Sequence, residues 1–232
     1  MRILSIGKTV HHDKLNITSI EESMLDSQPN IEAYDYIIIN GGDGTIRRVL
    51  KQLHKLDVLP PFILNPTGSF NVVAKMHQVP NLDVVLEQLA NDKVPPMHTQ
   101  QIYRLNDEIF LFSAGNMGDL QHIFLSETLR FGLLEKGISK YILAAFFLFP
   151  VHLVVTPFML MSKRRFFIFT PAAFIRKFGT FYGKVPKMHI HLNNGHNLIE
   201  LDGDIVTIKE NILDIEPVSQ VKIITKSISG NT

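Results

Sequence analysis

The chain has 232 residues, with 23 Lys and Arg against 22 Asp and Glu for a formal net charge of +1, and is 45% hydrophobic and 19% charged. At roughly 150 residues per domain this makes one large or two small domains with enough apolar chain for a real core, which excludes a disordered tail, while the balanced charge offers no basic surface for nucleic acid. No cysteine is present, which excludes a disulfide framework, a thiolate nucleophile, a zinc ribbon and an iron–sulfur cluster, and fits a reducing compartment.

The N-terminal apolar run is too short for a signal peptide and passes at once into His11-His12-Asp13-Lys14, so the chain reads as intracellular. Ile3 to Ile6 reads as a short strand. Ile17 to Leu25 reads as a short helix capped by Thr18 or Ser19, with Glu21 and Glu22 in its first turn. Tyr36-Ile37-Ile38-Ile39 is an unbroken apolar run, the pattern of a strand buried on both faces in a parallel sheet, and it ends in Asn40-Gly41-Gly42-Asp43-Gly44-Thr45. A helix follows: Ile46, Val49, Leu50, Leu53 and Leu56 recur at helical spacing, with Arg47, Arg48, Lys51 and Lys55 on the remaining surface. The unit of strand, turn and helix then recurs as Phe62 to Leu64, Asn65 to Ser69, and Asn71 to His77. Consecutive units of this kind predict a parallel α/β sheet whose ligands gather at the carboxyl ends of the strands, where both turns fall. A third helix is predicted over Leu82 to Leu89.

Asn91 to Pro96 breaks the periodicity and suggests a boundary, giving an α/β lobe over 1–98 and a β-rich lobe over 99–232. The second lobe carries strand patterns at Ile109–Phe112, Phe166–Phe169, Met188–Leu192, Leu198–Leu201, Ile212–Ile215 and Val221–Ile224. Residues Tyr141–Met161 pass without a formal charge, flanked by Lys136 and Lys140 before and Lys163, Arg164 and Arg165 after. That segment is long enough to span a bilayer, but Pro150 and Pro157 interrupt it, and a single crossing would separate the glycine turns from the later acidic residues. Interfacial contact with anionic lipid and ordinary core remain the alternatives. His189 and His191 alternate on a strand with His196 nearby, a solvated face rather than a metal site for want of an acidic or thiolate partner.

Three places carry residues suited to chemistry. Gly41, Gly42 and Gly44 around Asp43, between a buried strand and a helix start, suit a phosphate: the backbone amides point outward, and Asp43 can meet a nucleotide hydroxyl or Mg²⁺. A plain tight turn is the alternative. Pro66, Gly68, Ser69 and Asn71 form a second turn that would meet the first across the sheet edge. Leu201-Asp202-Gly203-Asp204 sets two carboxylates around a glycine, either as a hairpin turn or with one carboxylate positioned to take a proton from a substrate hydroxyl.

In this order the three pieces resemble the diacylglycerol kinase catalytic-domain family, which includes bacterial lipid kinases and sphingosine kinases. Gly41-Gly42-Asp43-Gly44-Thr45 matches the family's nucleotide-binding signature in full. Pro66-Thr67-Gly68-Ser69-Phe70-Asn71 is similar to its second signature, with Ser69 in the threonine place. Phe112 to Asp119, with Asn116 and Gly118, is similar to the segment opening the family's second lobe. Leu201 to Asp204 resembles the late Asp-Gly-Glu signature, with Asp204 in place of the glutamate regarded as general base.

The resemblance implies a two-lobed fold, an N-terminal parallel α/β nucleotide-binding lobe followed by a β-sandwich lobe. It also implies transfer of the γ-phosphoryl of ATP, with Mg²⁺, to a hydroxyl of diacylglycerol or a related membrane lipid. The site residues it implies are Gly41, Gly42, Asp43, Gly44, Thr45, Pro66, Gly68, Ser69 and Asn71 for nucleotide, Asp43 for the metal, and Asp204 with Asp43 for catalysis. It further implies a cytoplasmic protein held peripherally at the inner membrane face, without nucleic acid, and leaves a homodimer open. Members usually have two further helix–strand units before the glycine signature, where this chain has about 35 residues. Arg176 and Lys177, within Pro171–Gly179, stand where acidic residues of a structural Mg²⁺ site are expected. These departures keep a nucleotide- or lipid-binding relic of the same fold as the alternative, with an NAD-kinase-like enzyme, which shares only the glycine signature, behind it.

Overall fold

The computed structural model describes residues 1–68, 71–116, 167–169, 180–182, 187–192 and 195–226. The chain divides into two units, Met1–Leu111 with Asp214–Thr232, and Phe112–Leu213.

The first unit is built on one sheet. Its strands are β1 (Arg2–Ile6), β2 (Asn16–Ile20), β3 (Tyr36–Gly41), β4 (Phe62–Pro66), β5 (Met97–Leu105) and β6 (Glu108–Phe110), with β13 (Ile212–Ile224) returning from the end of the chain. They run in the order β2-β1-β3-β4-β13-β5-β6. The strands from β2 to β13 pair in parallel, and β5 and β6 are antiparallel additions. In β3 the isoleucines alternate between faces, and Ile37, Ile38 and Ile39 are all buried, so both faces of the sheet are covered. One cover is α3 (Leu82–Ala90), whose Val85, Leu86 and Leu89 pack on Ile3, Ile38, Ile63 and Ile224. Another helix, α1 (Asp43–Leu53), buries Ile46, Val49, Leu50 and Leu53 and lies against β3 and β6. Each such side chain removed from water contributes about 1.5–3 kcal/mol, which holds against the sheet a helix that begins at Asp43 and takes Gly44 into its first turn. The short α2 (Val72–Met76) follows β4.

The expected helix over Ile17 to Leu25 is not formed. Asn16–Ile20 is strand β2, in register with β1 from Arg2↔Asn16 to Ile6↔Ile20, and a 3-10 helix over Glu22–Ser27 follows. Ile17, Thr18 and Ile20 are β-branched, and an open edge beside β1 suits them better than a helix does. Ser19, read as a helix cap, instead accepts from the Val10 amide at 3.2 Å. Ile212–Ile215 and Val221–Ile224, read as separate strands, are the two ends of β13, whose pairing with β5 shifts register between Pro217 and Ser219. The boundary expected after residue 98 falls inside β5, because the long pairing of β5 with β13 holds residues 97–105 and 214–224 in the first sheet.

The second unit contains β7 (Ser113–Gly115), β8 (Phe167–Phe169), β9 (Thr180–Tyr182), β10 (Met188–His191), β11 (Asn197–Leu201) and β12 (Asp204–Ile208). A five-stranded sheet has the order β12-β11-β7-β8-β9, antiparallel except for β8 beside β9. The architecture is therefore mixed α/β, a mainly parallel sheet with helices followed by a β-rich unit. In β10 the exposed positions are His189 and His191, as a solvated face requires. The apolar segment Tyr141–Met161, the basic Arg176 and Lys177, Ser69 and Phe70, and the end of the Phe112–Asp119 segment lie outside the described residues. No helix among the described residues is long and apolar enough to cross a membrane.

Candidate functional site

Strand order reverses between β1 and β3: the chain steps from β1 outward to β2, then to the other side through β3 and β4. At such a switch point the loops leaving the carboxyl ends of the two central strands part company, and ligands of open α/β sheets bind there. Gly41 and Gly42 leave β3 at this point. Register aligns Asn40 with Asn65 and Gly41 with Pro66, so the two turns singled out in the sequence emerge side by side.

They touch. A Cβ on Gly68 would stand 2.8 Å from the Gly42 Cα and 2.9 Å from Asn71 Oδ1, and a Cβ on Gly42 would stand 3.2 Å from the Gly68 Cα. Only glycine allows the two backbones this approach. The Thr67 amide donates to the Gly41 carbonyl at 3.2 Å, and a Cβ on Gly41 would run into the Thr45 side chain at 2.4 Å. Asn71 closes the second turn on itself: its Oδ1 accepts from the Gly68 amide at 3.1 Å and its Nδ2 donates to the Gly68 carbonyl at 2.6 Å. Its backbone, at φ 49° and ψ 53°, is left-handed, a conformation asparagine tolerates well.

Asp43 ties the two turns together. Its Oδ2 accepts from the Val72 amide at 2.7 Å and its Oδ1 from the Val73 amide at 3.0 Å, so a residue of the first turn caps the helix that follows the second. Each carboxylate oxygen keeps further lone-pair capacity, so these bonds do not bar a cation or a hydroxyl. At the start of α1 the N-cap is Gly42, which has no side chain to satisfy the first-turn amides. Among the described residues no group of three or more His, Asp or Glu converges on a metal position. The residues present fit a phosphate at the amides and a cation supported by Asp43 alone, with the remaining ligands from phosphate and water, as Mg²⁺ commonly takes them.

Beneath the turns runs a polar chain that the sequence did not announce. Asn65 Nδ2 donates to Asn40 Oδ1 at 2.8 Å, Asn40 Nδ2 donates to Ser5 Oγ and to the Ile6 carbonyl at 3.0 Å each, and Ser5 Oγ donates to the Lys8 carbonyl at 2.8 Å. It crosses the carboxyl ends of β4, β3 and β1 and leads into the loop at Gly7, whose φ of 88° brings it against the Asn40 carbonyl. The only signal in the sequence was an amide side chain closing a run of isoleucines. Arg47, placed on the surface by its spacing, is in fact 6% exposed. Its Nη1 meets Glu108 Oε2 at 2.9 Å, and Lys51 Nζ meets the other oxygen at 2.6 Å, fastening α1 to β6. Arg48 pairs with Glu22 at 2.6 Å and approaches Thr45 Oγ1 at 3.3 Å.

In the second unit, Asp202 and Gly203 are the two turn residues between β11 and β12, at φ 51° and 90°, the pair of positive φ values that a tight two-residue hairpin demands. Asp202 is 2% exposed, and its Oδ1 accepts from the amides of Phe112 and Ser113 at 2.9 Å each. Glu200 accepts from Ser113 Oγ and from the Gly203 amide. Of the two carboxylates read around this glycine, Asp202 is thus committed to pinning the hairpin on β7, whereas Asp204, opposite Leu201 at the head of β12, is partly exposed.

Residues 10–102 match the model of the diacylglycerol kinase catalytic domain, a stretch that contains both glycine turns. A Streptococcus pneumoniae protein named "Putative lipid kinase" is 26% identical over 131 residues, which are 53% of this chain and 44% of that relative, so the match spans less than half of the relative's length. Two solved structures from Bacillus anthracis share the fold. One, of a "putative diacylglycerol kinase", has a TM-score of 0.58 at 15% identity, and the other, of a diacylglycerol kinase, 0.57 at 14%; each alignment covers 97% of both chains. The resemblance read from Gly41–Thr45 and Pro66–Asn71 is borne out by these matches, and with it the two-unit α/β architecture.

Proposed function

We propose that this chain is an ATP-dependent lipid kinase that transfers the γ-phosphoryl group to a hydroxyl of diacylglycerol or a related membrane lipid. One observation carries the reading: the two signature turns stand backbone to backbone at the switch point of the sheet, Gly68 on Gly42, with Asp43 bonded across them. Such an arrangement presents first-turn amides and the positive end of α1 to an anion without side chains in the way. In phosphoryl transfer the protein's work is mainly alignment and charge neutralisation, which a rigid amide cradle supplies.

In this reading the amides of Gly41 to Thr45 bind phosphate, while Gly68 and Asn71 hold the second turn against it and Pro66 and Ser69 complete the nucleotide site. Asp43 keeps the two turns in register and supports Mg²⁺, which when bound neutralises phosphate charge. Asp204 is the residue proposed to take the proton from the acceptor hydroxyl, since Asp202 is occupied by the Phe112 and Ser113 amides. The acceptor being a membrane lipid, peripheral contact with an anionic membrane face belongs to the proposal.

The test is incubation with γ-labelled ATP, Mg²⁺ and mixed vesicles of diacylglycerol, sphingoid base and anionic phospholipid. Label in a lipid fraction, lost in Asp204→Asn, is the expected result and names the acceptor. Label in a soluble nucleotide independent of vesicles would point to the NAD-kinase-like alternative. ATP binding and vesicle co-sedimentation without any transfer would make the chain a binding relic.

A further inference from the structure

Strand β2 ends the first sheet on one side: it pairs with β1 and, among the described residues, with no strand beyond. The register of Ile6 with Ile20, and the bond from the Gly7 amide to the Ile20 carbonyl at 2.9 Å, turn the backbone groups of Asn16, Thr18 and Ile20 toward β1. Successive residues of a strand alternate, so the amides and carbonyls of Ile17 and Ser19 point away from the sheet. The preceding loop lies on one face of β2, where Val10 and Leu15 join Ile17 against the core beneath α3 and the Val10 amide donates to Ser19 Oγ. Natural edges are usually blunted by a charge, a proline or a bulge, and Asn16-Ile17-Thr18-Ser19-Ile20 carries none of these. The residue just outside each end is half spent: the Leu15 amide donates to the His12 carbonyl at 3.2 Å, and the Glu21 carbonyl accepts from the Met24 amide at 3.0 Å.

We propose that β2 is a docking edge for a second copy of this chain, paired antiparallel about a two-fold axis at Thr18. In that register Ile17 exchanges both of its bonds with Ser19 of the second copy, and the reverse by symmetry. Leu15 then stands opposite Glu21 of the second copy, where the two spent groups are partners in one and the same bond, and the Glu21 amide and Leu15 carbonyl make the other. Centring the axis on Ile17 would set the spent Leu15 amide against a Ser19 carbonyl, and centring it on Ser19 would set an Ile17 amide against the spent Glu21 carbonyl, so each of those registers strands a group. The side chains agree with the Thr18 axis. Thr18 meets its own copy, a favourable cross-strand pair, and exposed Lys14 faces Glu22 of the second copy, whereas parallel pairing in register would set like charge on like. The axis reverses the strands, so the glycine turns of the two copies leave opposite ends of the joined sheet and do not meet.

The chain has no cysteine, so a single introduced thiol reports the register. Residues on the axis, in a non-hydrogen-bonded antiparallel pair, stand about 4.5 Å apart at Cα, within disulfide reach, while each Asn16 lies four residues along from its own copy, more than about 13 Å away. We expect the full chain to show a monomer–dimer equilibrium in sedimentation at micromolar concentration. Mild oxidation should join Thr18→Cys into a covalent dimer and leave Asn16→Cys unjoined. Thr18→Lys, which sets like charges opposite each other on the axis at an exposed position, should weaken the dimer tenfold or more with an unchanged circular dichroism spectrum. A monomer at every concentration would leave the edge to a strand of some other protein and overturn the proposal. So would equal cross-linking at the two positions, or a dimer as strong in Thr18→Lys as in wild type. None of these readouts involves ATP or lipid, so the edge stands or falls apart from the proposed kinase activity.

Discussion

Asn40 makes three hydrogen bonds through one side chain that is 8% exposed, and all three cross between strands. Replacing it by alanine strands the Ile6 carbonyl and removes a partner from Ser5 and Asn65, a loss of about 2–3 kcal/mol by the usual cost of unmet buried polar groups, to be read from urea unfolding. Asn40→Asp, nearly the same shape, should cost more, because an oxygen would then face the Ser5 Oγ and the Ile6 carbonyl where two N–H donors stood. Asp43 carries two burdens of a different kind. Asp43→Ala removes the cap of α2, worth about 1–2 kcal/mol, as well as the proposed support for Mg²⁺. The expected outcome is a folded variant with a lowered unfolding midpoint and no transfer of label to lipid; full transfer would take Asp43 out of the site. At this scale the sequence showed which residues matter for chemistry but not how they are held. Gly41 to Thr45 was legible because its residue types permit little else, whereas Asn40, Ser5 and the buried Arg47 depend on partners 35 and 61 positions away, Ser5 with Asn40 and Glu108 with Arg47, which no local pattern encodes.

Two glycines separate packing from backbone strain at the scale of the turn. Gly203 sits at φ 90° with nothing within 4 Å of the position a Cβ would take. Gly203→Ala should therefore cost about 1–2 kcal/mol of conformational strain and leave the hairpin in place. Gly68 has neighbours at 2.8 and 2.9 Å instead, so Gly68→Ala must push the second turn off the first. A stability loss of about 1–3 kcal/mol from overpacking should accompany at least a tenfold fall in affinity for ATP, measured by calorimetry. If Gly68→Ala bound ATP as the wild type does, the contact between the turns would have no part in holding nucleotide. Elements with a strong period were legible: β3 from its isoleucine run and α1 from its apolar stripe. The stretch after Asn16 was not, because Ile17 and Ile20 are three apart and fit a helix as well as an edge strand. The choice was made by the open edge of β1, which lies outside the local sequence.

For the molecule as a whole, the change from helical to strand periodicity near residue 91 announced two units, but β13 could not be assigned to the first sheet until its pairing with β5 was known. Whole-molecule charge bears on the proposed membrane contact in the same indirect way. A net charge of +1 on 232 residues gives no long-range pull toward an anionic surface. Attraction must therefore come from a local cluster, and the sequence supplies one in Lys163, Arg164 and Arg165, one residue beyond the uncharged Tyr141–Met161. Basic residues beside an anionic bilayer contribute about 1 kcal/mol each, so replacing all three by glutamine should weaken co-sedimentation with phosphatidylserine vesicles on the order of a hundredfold. The same binding should fall as salt is raised from about 0.1 to 0.5 M, since the Debye length contracts well below the reach of a docked side chain. Binding that survives both changes would have to rest on apolar insertion alone. In that case the uncharged stretch from Tyr141 to Met161, rather than the basic cluster that ends it, would set where the protein meets the lipid.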